Sequence, residues 1–359
     1  MIRQRNRTCC RAARATLIWA VVGFVAFQIA VVVAADAFAA EVYDSEYAAR
    51  FVRIKARHAE HPERPLLVML GSSRVCQLFR PEQMPPLITP DGRTVLPFNF
   101  ARIGGGPVYS RLAYSRLCQE GLAPEWVVVE IMPALMVHRH EHFFYPSVTA
   151  NELNEMRRYI SSRRLFDSYA KNRILPGYKN RTGLLRVLAP SWALPGQEDP
   201  DQVIDALGGE GQRIRSVQSD ADRQAKETRV SAGYAEILAN FRVDPGSDRA
   251  LRDLIRECRA DGVRVAFVRT PESSTYRTIA YQPETLATLD AYLENLRREF
   301  GVAVIDSREW LPDREIDDGH HPLLSGQKTF TSRLHSEVLV PLVNDQLRAT
   351  NERIDTAKR

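Results

Sequence analysis

Leu66-Leu67-Val68-Met69-Leu70-Gly71-Ser72-Ser73-Arg74 is the stretch on which the fold turns. Five consecutive apolar residues read as a buried strand, because a strand with one wet face would alternate. The glycine and serines at its end read as the turn into a helix. The pattern recurs: Trp126–Ile131 is another buried strand, ended by Pro133, and Val263–Val268 and Val302–Ile305 are two more, with a short one at Phe98–Phe100. Helices are predicted over 109–119, 247–260, 283–300 and 323–347. Strands alternating with helices imply an α/β fold, a three-layer sandwich around a mostly parallel sheet, flavodoxin-like in style.

The chain has 359 residues, 44% hydrophobic and 26% charged, which suits one large domain carrying an insertion. Its net charge of +5 has one source: Arg3, Arg5, Arg7, Arg11 and Arg14, with no acid among them. Without them the chain is neutral, so the excess is no argument for a nucleic-acid partner. These arginines precede an apolar run at 15–35, enough to cross a bilayer as a helix, which takes about 20 residues. Arginines on its N-terminal side predict a cytoplasmic N-terminus, with the main domain periplasmic or extracellular. Ala37-Phe38-Ala39 resembles a signal-peptidase site, so a cleaved, secreted form competes with the retained anchor.

The organisation read from the sequence is a basic arm at 1–14, an anchor at 15–35 and a stalk at 36–63. The α/β domain follows in two parts, 64–139 and 247–347, split by an inserted cap at 140–246, and a polar tail closes the chain at 348–359. The stalk reading rests on Tyr47, Phe51 and Ile54, at i, i+4 and i+7 between charges. The cap lacks regular alternation, with helices predicted near 150–172 and 219–241. Cys76, Cys118 and Cys258 are an odd number in the exported part, so at most one disulfide forms there.

In a parallel sheet, sites form beyond the carboxyl ends of the strands. Ser72 and Ser73 stand at such an end. A serine is a weak nucleophile until a base takes its proton, and an imidazole oriented by a carboxylate is such a base. Asp317-Asp318-Gly319-His320-His321 supplies both groups in two registers, Asp317–His320 and Asp318–His321. Simpler roles compete: Gly-Ser-Ser before a helix is ordinary capping chemistry, and Asp-Gly is a common turn. His138, His140 and His142 would share one side of an extended segment, but no fourth metal ligand is evident, and a solvated loop is the better reading. Arg269 and Glu272 follow a strand and could touch substrate or simply pair.

These segments together resemble the SGNH (GDSL-like) hydrolase superfamily, in the style of its membrane-anchored envelope branch, which includes alginate-type O-acetyltransferases and teichoic-acid D-alanylation proteins. Gly71-Ser72-Ser73 is similar to the family's Gly-Asp-Ser opening, with Ser in place of Asp. Asn99-Phe-Ala-Arg-Ile-Gly104 is similar to its second motif, and Asp318-Gly-His-His321 followed by Gly326 and Phe330 to its closing motif. The resemblance covers about 64–135 and 248–345. It implies Ser73 as nucleophile, His321 as base, Asp318 as its orienting acid, and the Ser73 and Gly104 N–H groups as the oxyanion hole. Arg74, Arg102 and Arg269 are read as substrate contacts beside these motifs, from their own places in the sequence. The family's third motif, an oxyanion-hole Asn after a strand, has no counterpart: Met132-Pro133-Ala134 follows the matching strand. Losing one such donor costs about 3–4 kcal/mol in an enzyme built to use it.

The resemblance implies a membrane-anchored serine esterase or O-acyltransferase acting on an envelope polysaccharide or an acylated small molecule. It needs no cofactor and no metal, and its envelope relatives imply a multi-span membrane acyltransferase as donor partner. The alternative, favoured by the missing Asn and the long insertion, is a non-catalytic envelope protein that binds glycan or assembles a secretion complex.

Overall fold

The computed structural model describes residues 2–38, 42–137, 148–160, 169–170, 173, 181, 184–185, 189, 204–210 and 219–347. Two compact units divide the chain. One holds 1–45, 145–155 and 162–195, the other 46–144, 156–161 and 196–359.

The first unit is built on helix α1 (Ile2–Phe38). Within it Ala12–Ala34, 23 residues of mean hydropathy 2.6 and wholly unburied, is long and apolar enough to cross a membrane. An N-terminal signal sequence has the same properties. Thr16, one of its few polar groups, returns its hydroxyl to the Ala12 carbonyl (3.0 Å). Below the apolar run Asp36 accepts from Arg173 (3.0 Å) and from the Tyr169 hydroxyl (3.2 Å).

The second unit carries the sheet. Helix α2 (Ser45–Glu60) precedes β1 (Leu66–Leu70), and α3 (Ser73–Leu78) follows it. Then come β2 (Leu96–Asn99), α4 (Pro107–Gln119) and β3 (Trp126–Glu130). Beyond α5 (Ala150–Met156), which falls in the first unit except for its last residue, the chain forms α6 (Asp220–Leu238), α7 (Pro245–Ala260), β4 (Arg264–Arg269), α8 (Ser274–Ala280) and α9 (Pro283–Phe300). It closes with β5 (Ala303–Asp306) and α10 (Leu324–Leu334), which runs through a π turn into α11 (Val340–Val343). The five strands are all parallel, in the order β2-β1-β3-β4-β5.

Strand alternation explains the layers. Leu67, Met69, Val128, Ala266, Val268 and Ile305 point to one side, where they meet Val75 and Leu78 of α3 and Phe330 and Leu334 of α10. The alternate residues Val68, Val127, Val129 and Phe267 are equally buried. On their side α7 packs on α4 and against β4. Both faces are covered, so the strands read as unbroken apolar runs. The order reverses between β1 and β3, which opens a crevice at their carboxyl ends.

Two segments delimited from the sequence make contacts that the sequence did not mark. The segment taken for a stalk is not solvated: the Tyr47 ring stacks on Phe51 (5.2 Å) and meets Phe100 edge-on (5.6 Å), and Ile54 is fully buried. Its i, i+4, i+7 stripe is a docking face on the sheet domain. The cap is not one body either, since its second half belongs to the sheet-bearing unit. There Asp205 pairs with Arg80 (2.9 Å), Leu207 accepts the Asn99 N–H (2.9 Å) beside β2, and α6 packs on α8. Few apolar residues mark α6, because its contacts with the domain are largely polar. The histidines at 138, 140 and 142 lie outside the described residues.

Arg50 of α2 is buried and bonds Glu210 (2.8 Å) and the Gly208 carbonyl (3.3 Å). Arg50→Met leaves the Glu210 carboxylate buried without its cation. The expected cost is about 3–5 kcal/mol, read as a lower denaturation midpoint. An unchanged midpoint would make α2 peripheral after all.

Candidate functional site

The end of β1 divides labour between two serines. Ser72 is the cap of α3: its hydroxyl accepts the Arg74 N–H (3.2 Å) and its own N–H donates to Glu130 Oε2 (2.6 Å). Capping therefore falls to Ser72, and Ser73 is left half-buried with its Oγ 2.9 Å from His321 Nε2. Among the described residues, the Ser73 and Gly104 amides have no acceptor.

The second motif is seated on this turn. Asn99 Nδ2 donates to the carbonyls of Val75 (2.8 Å) and Phe79 (2.7 Å), and its Oδ1 accepts the Ala101 N–H (3.2 Å). The Arg102 N–H donates to the Gly71 carbonyl (3.0 Å). Gly105 passes so close that a Cβ there would stand 2.4 Å from the Gly71 oxygen, so the approach requires glycine. Gly104 thus sits in a loop touching the backbone of the turn that carries Ser73.

The imidazole comes from the loop before α10. The Asp317 N–H donates to the His321 carbonyl (2.8 Å), closing a tight turn in which Gly319 has φ +96°, where a side chain would be strained. Asp318 Oδ1 accepts the His321 N–H (3.0 Å), and its carboxylate faces His321 Nδ1 at 3.0 and 3.1 Å. Of the two registers, Asp318–His321 is the one that reaches Ser73. Asp317 turns away to Lys226 Nζ (2.6 Å). Burial works to raise the Asp318 pKa, but the His321 hydrogen bond and the nearby imidazoles outweigh it and hold the carboxyl well below the usual range. His320 is buried between Tyr234 and Tyr276 (ring centroids 4.9 and 5.4 Å) and lies against His321 (4.2 Å). Burial, then its neighbour His321, pushes its pKa well below 6.5, so it stays neutral.

Asp318, His320 and His321 offer ligand atoms within 4.8 Å of one another. Both His321 nitrogens already face partners, so an ion there would break the contact with Asp318 or with Ser73. The arrangement suits proton transfer better than metal binding.

The three arginines expected at substrate are placed otherwise. Arg74 is 1% exposed. It bonds Glu272 (3.3 Å), the Thr270 and Pro271 carbonyls (2.8 and 3.1 Å) and faces Glu130 (3.4 Å). Arg269 is buried against Asp290 (2.7 Å) and Asp306 (3.4 Å). Arg102 is buried, with its guanidinium over the Tyr109 ring (5.1 Å). Sequence position at the strand ends put these residues at the right edge of the sheet, but their side chains turn inward. The reading missed Glu130, whose one signal was a carboxylate ending an apolar strand. It also missed Lys226 and Tyr234, which no pattern marked.

The neutral His320 gives a stability test. The unfolded chain takes a proton on this residue below about pH 6.5 and the folded one refuses it, so stability falls as pH falls from 6.5. The contribution approaches about 1.4 kcal/mol per pH unit. His320→Asn is expected to flatten the decline of melting temperature between pH 6.5 and 5. A decline as steep as in the wild type would mean that His320 titrates normally.

Comparison with known proteins adds little about activity. No curated protein matches this sequence. A solved structure from Bacteroides fragilis, titled as that of a "putative acylhydrolase", aligns at 12% identity with a TM-score of 0.37, covering 82% of this chain and 98% of that one, a likeness too slight to argue from. The family model described as "Protein of unknown function (DUF1574)" matches residues 29–321. That span runs from within α1 to His321 and takes in Ser73 and Asp318, and the chain belongs to this family.

Proposed function

We propose that the protein is a serine-dependent acyl-ester enzyme of SGNH type, an esterase or O-acyltransferase, held to the membrane by α1. One observation carries the reading: Ser73 Oγ, His321 and Asp318 form a hydrogen-bonded chain, 2.9 Å then 3.0 Å, from residues 248 positions apart in sequence. Residues that meet over such a span, at the carboxyl edge of a parallel sheet, are where a reaction centre is expected.

The chemistry follows from the geometry. His321 Nε2 accepts the Ser73 proton as Oγ attacks the acyl carbonyl. Asp318 keeps the other ring nitrogen protonated and stabilises the imidazolium that forms. The amides of Ser73 and Gly104 face the developing oxyanion. The imidazolium then protonates the leaving oxygen, and water or an acceptor hydroxyl releases the acyl group from Ser73. With the arginine arm cytoplasmic, the catalytic unit lies outside the membrane, where an envelope glycan or another acylated surface molecule is the substrate and a multi-span acyltransferase could supply the acyl group. The missing third oxyanion donor favours the alternative, a non-catalytic glycan-binding scaffold.

A fluorophosphonate probe separates the two. The wild type should be labelled on Ser73 and Ser73→Ala not at all. Asp318→Asn should slow labelling by up to about 10⁴-fold through the wrong imidazole tautomer. Folded wild type that resists the probe would sink the enzyme and leave the scaffold.

A further inference from the structure

The His321 ring is held at its two nitrogens, by Asp318 at 3.0 Å and by Ser73 at 2.9 Å. Hydrogen bonds at the ring edge fix where that edge lies, but they resist a modest tilt only weakly, since they lose strength steeply only below about 120°. The side chain is 17% exposed, so part of the ring borders solvent. A contact on the ring face is what opposes the tilt, and the neighbouring imidazole supplies it: the His320 and His321 centroids are 4.2 Å apart, with their planes 42° from one another. We propose that His320 is a positioning residue, an aromatic backstop that holds the His321 imidazole in line with Ser73 and Asp318; this rests on the acyl-ester reading above.

A backstop must itself be rigid, and His320 is. It is 4% exposed. Tyr234 of α6 meets its ring edge-on at 4.9 Å, and Tyr276 of α8 lies at 5.4 Å. Tyr276 is wholly buried and packs in turn on Tyr234 (5.4 Å) and Tyr281 (5.7 Å). The turn before His320 rests on the same ring: a Cβ at Gly319 would stand 3.2 and 3.3 Å from Tyr276 side-chain carbons. A stack of buried rings thus runs from the core to the imidazole of His321.

The chemistry of His320 suits support rather than reaction. Its Nδ1 stands 3.7 Å from Asp318 Oδ1, beyond hydrogen-bond distance, whereas His321 Nδ1 faces the same carboxylate at 3.0 and 3.1 Å. Burial and the adjacent His321 keep it neutral, so it does not compete as a cation for Asp318. Its Nε2 is 3.4 Å from the Tyr234 hydroxyl, a long contact, which leaves ring packing as its main hold.

The test is the rate of Ser73 labelling by a fluorophosphonate in the full-length, detergent-solubilised protein, below the unfolding temperature of every variant. His320→Asn removes the ring and is expected to lower the maximal labelling rate about tenfold with the half-saturating probe concentration unchanged, because the base and not the probe site is displaced. His320→Phe puts a ring back and is expected to label within about threefold of wild type. In a His321→Ala background the base is gone, and His320→Asn is expected to change the residual labelling, read by mass spectrometry of the Ser73 peptide, by less than about twofold. A residue that merely kept the fold would cost labelling in both backgrounds. Equal losses in the two backgrounds, a His320→Asn protein labelled at the wild-type rate, or a phenylalanine variant as slow as the asparagine one would overturn the assignment while leaving the enzyme. Wild type that takes no label overturns the acyl-ester reading itself, and this inference with it.

Discussion

One buried cation ties the carboxyl ends of three strands together. Arg74 follows β1, Glu130 ends β3, and Thr270 and Glu272 follow β4. The guanidinium meets both carboxylates and two carbonyls, and the Tyr281 hydroxyl donates to Glu272 as well (2.6 Å). Burial alone would lower the Arg74 pKa, but Glu272 and Glu130 outweigh it, so the residue stays charged. An ion set this deep is costly to desolvate and is held by geometry. Its effect is on position. Glu130 also accepts the Ser72 amide, so the turn carrying Ser73 is bound to the neighbouring strand on one side and to the Gly105 loop on the other.

The loop carrying Asp318 and His321 is held by a separate device. Its backbone closes on itself through Asp317, its carboxylate caps the His321 amide, and its outer side is gripped by α6. A site assembled from two independently anchored loops holds its side chains in place without a ligand present, which is the preorganisation that the proposed proton transfer from Ser73 would need. Neutral His320 is consistent with the proposed scheme: a second imidazolium beside His321 would oppose the charge that His321 would acquire as a base.

Legibility in the sequence followed the kind of force involved. Strands β1, β3 and β4 announced themselves because two-sided burial demands unbroken apolar residues, and the Ser73, Asp318 and His321 positions could be named because reaction chemistry restricts residue type. Helix α2 showed its apolar stripe, but a stripe does not say what covers it. The docking of helix α6, read from the sequence as part of the inserted cap, was not legible because Lys226, Glu227 and Tyr234 make polar contacts, which leave no periodic signature. Arg74, Arg102 and Arg269 sat where substrate contacts are sought, and only side-chain direction separated a structural arginine from an exposed one.

By itself, the sequence determined an α/β architecture on a mostly parallel sheet, an apolar segment long enough to cross a membrane, and the small set of residues from which a serine relay could be drawn, because these depend on burial patterns and on chemical type along the chain. The tertiary structure alone decided which serine caps the helix and which is free, which aspartate turns to the imidazole and which to Lys226, and that the arginines point inward. Those choices depend on partners far away in sequence, and a hydrogen bond between residues 73 and 321 exists only once the sheet has brought their loops to one edge.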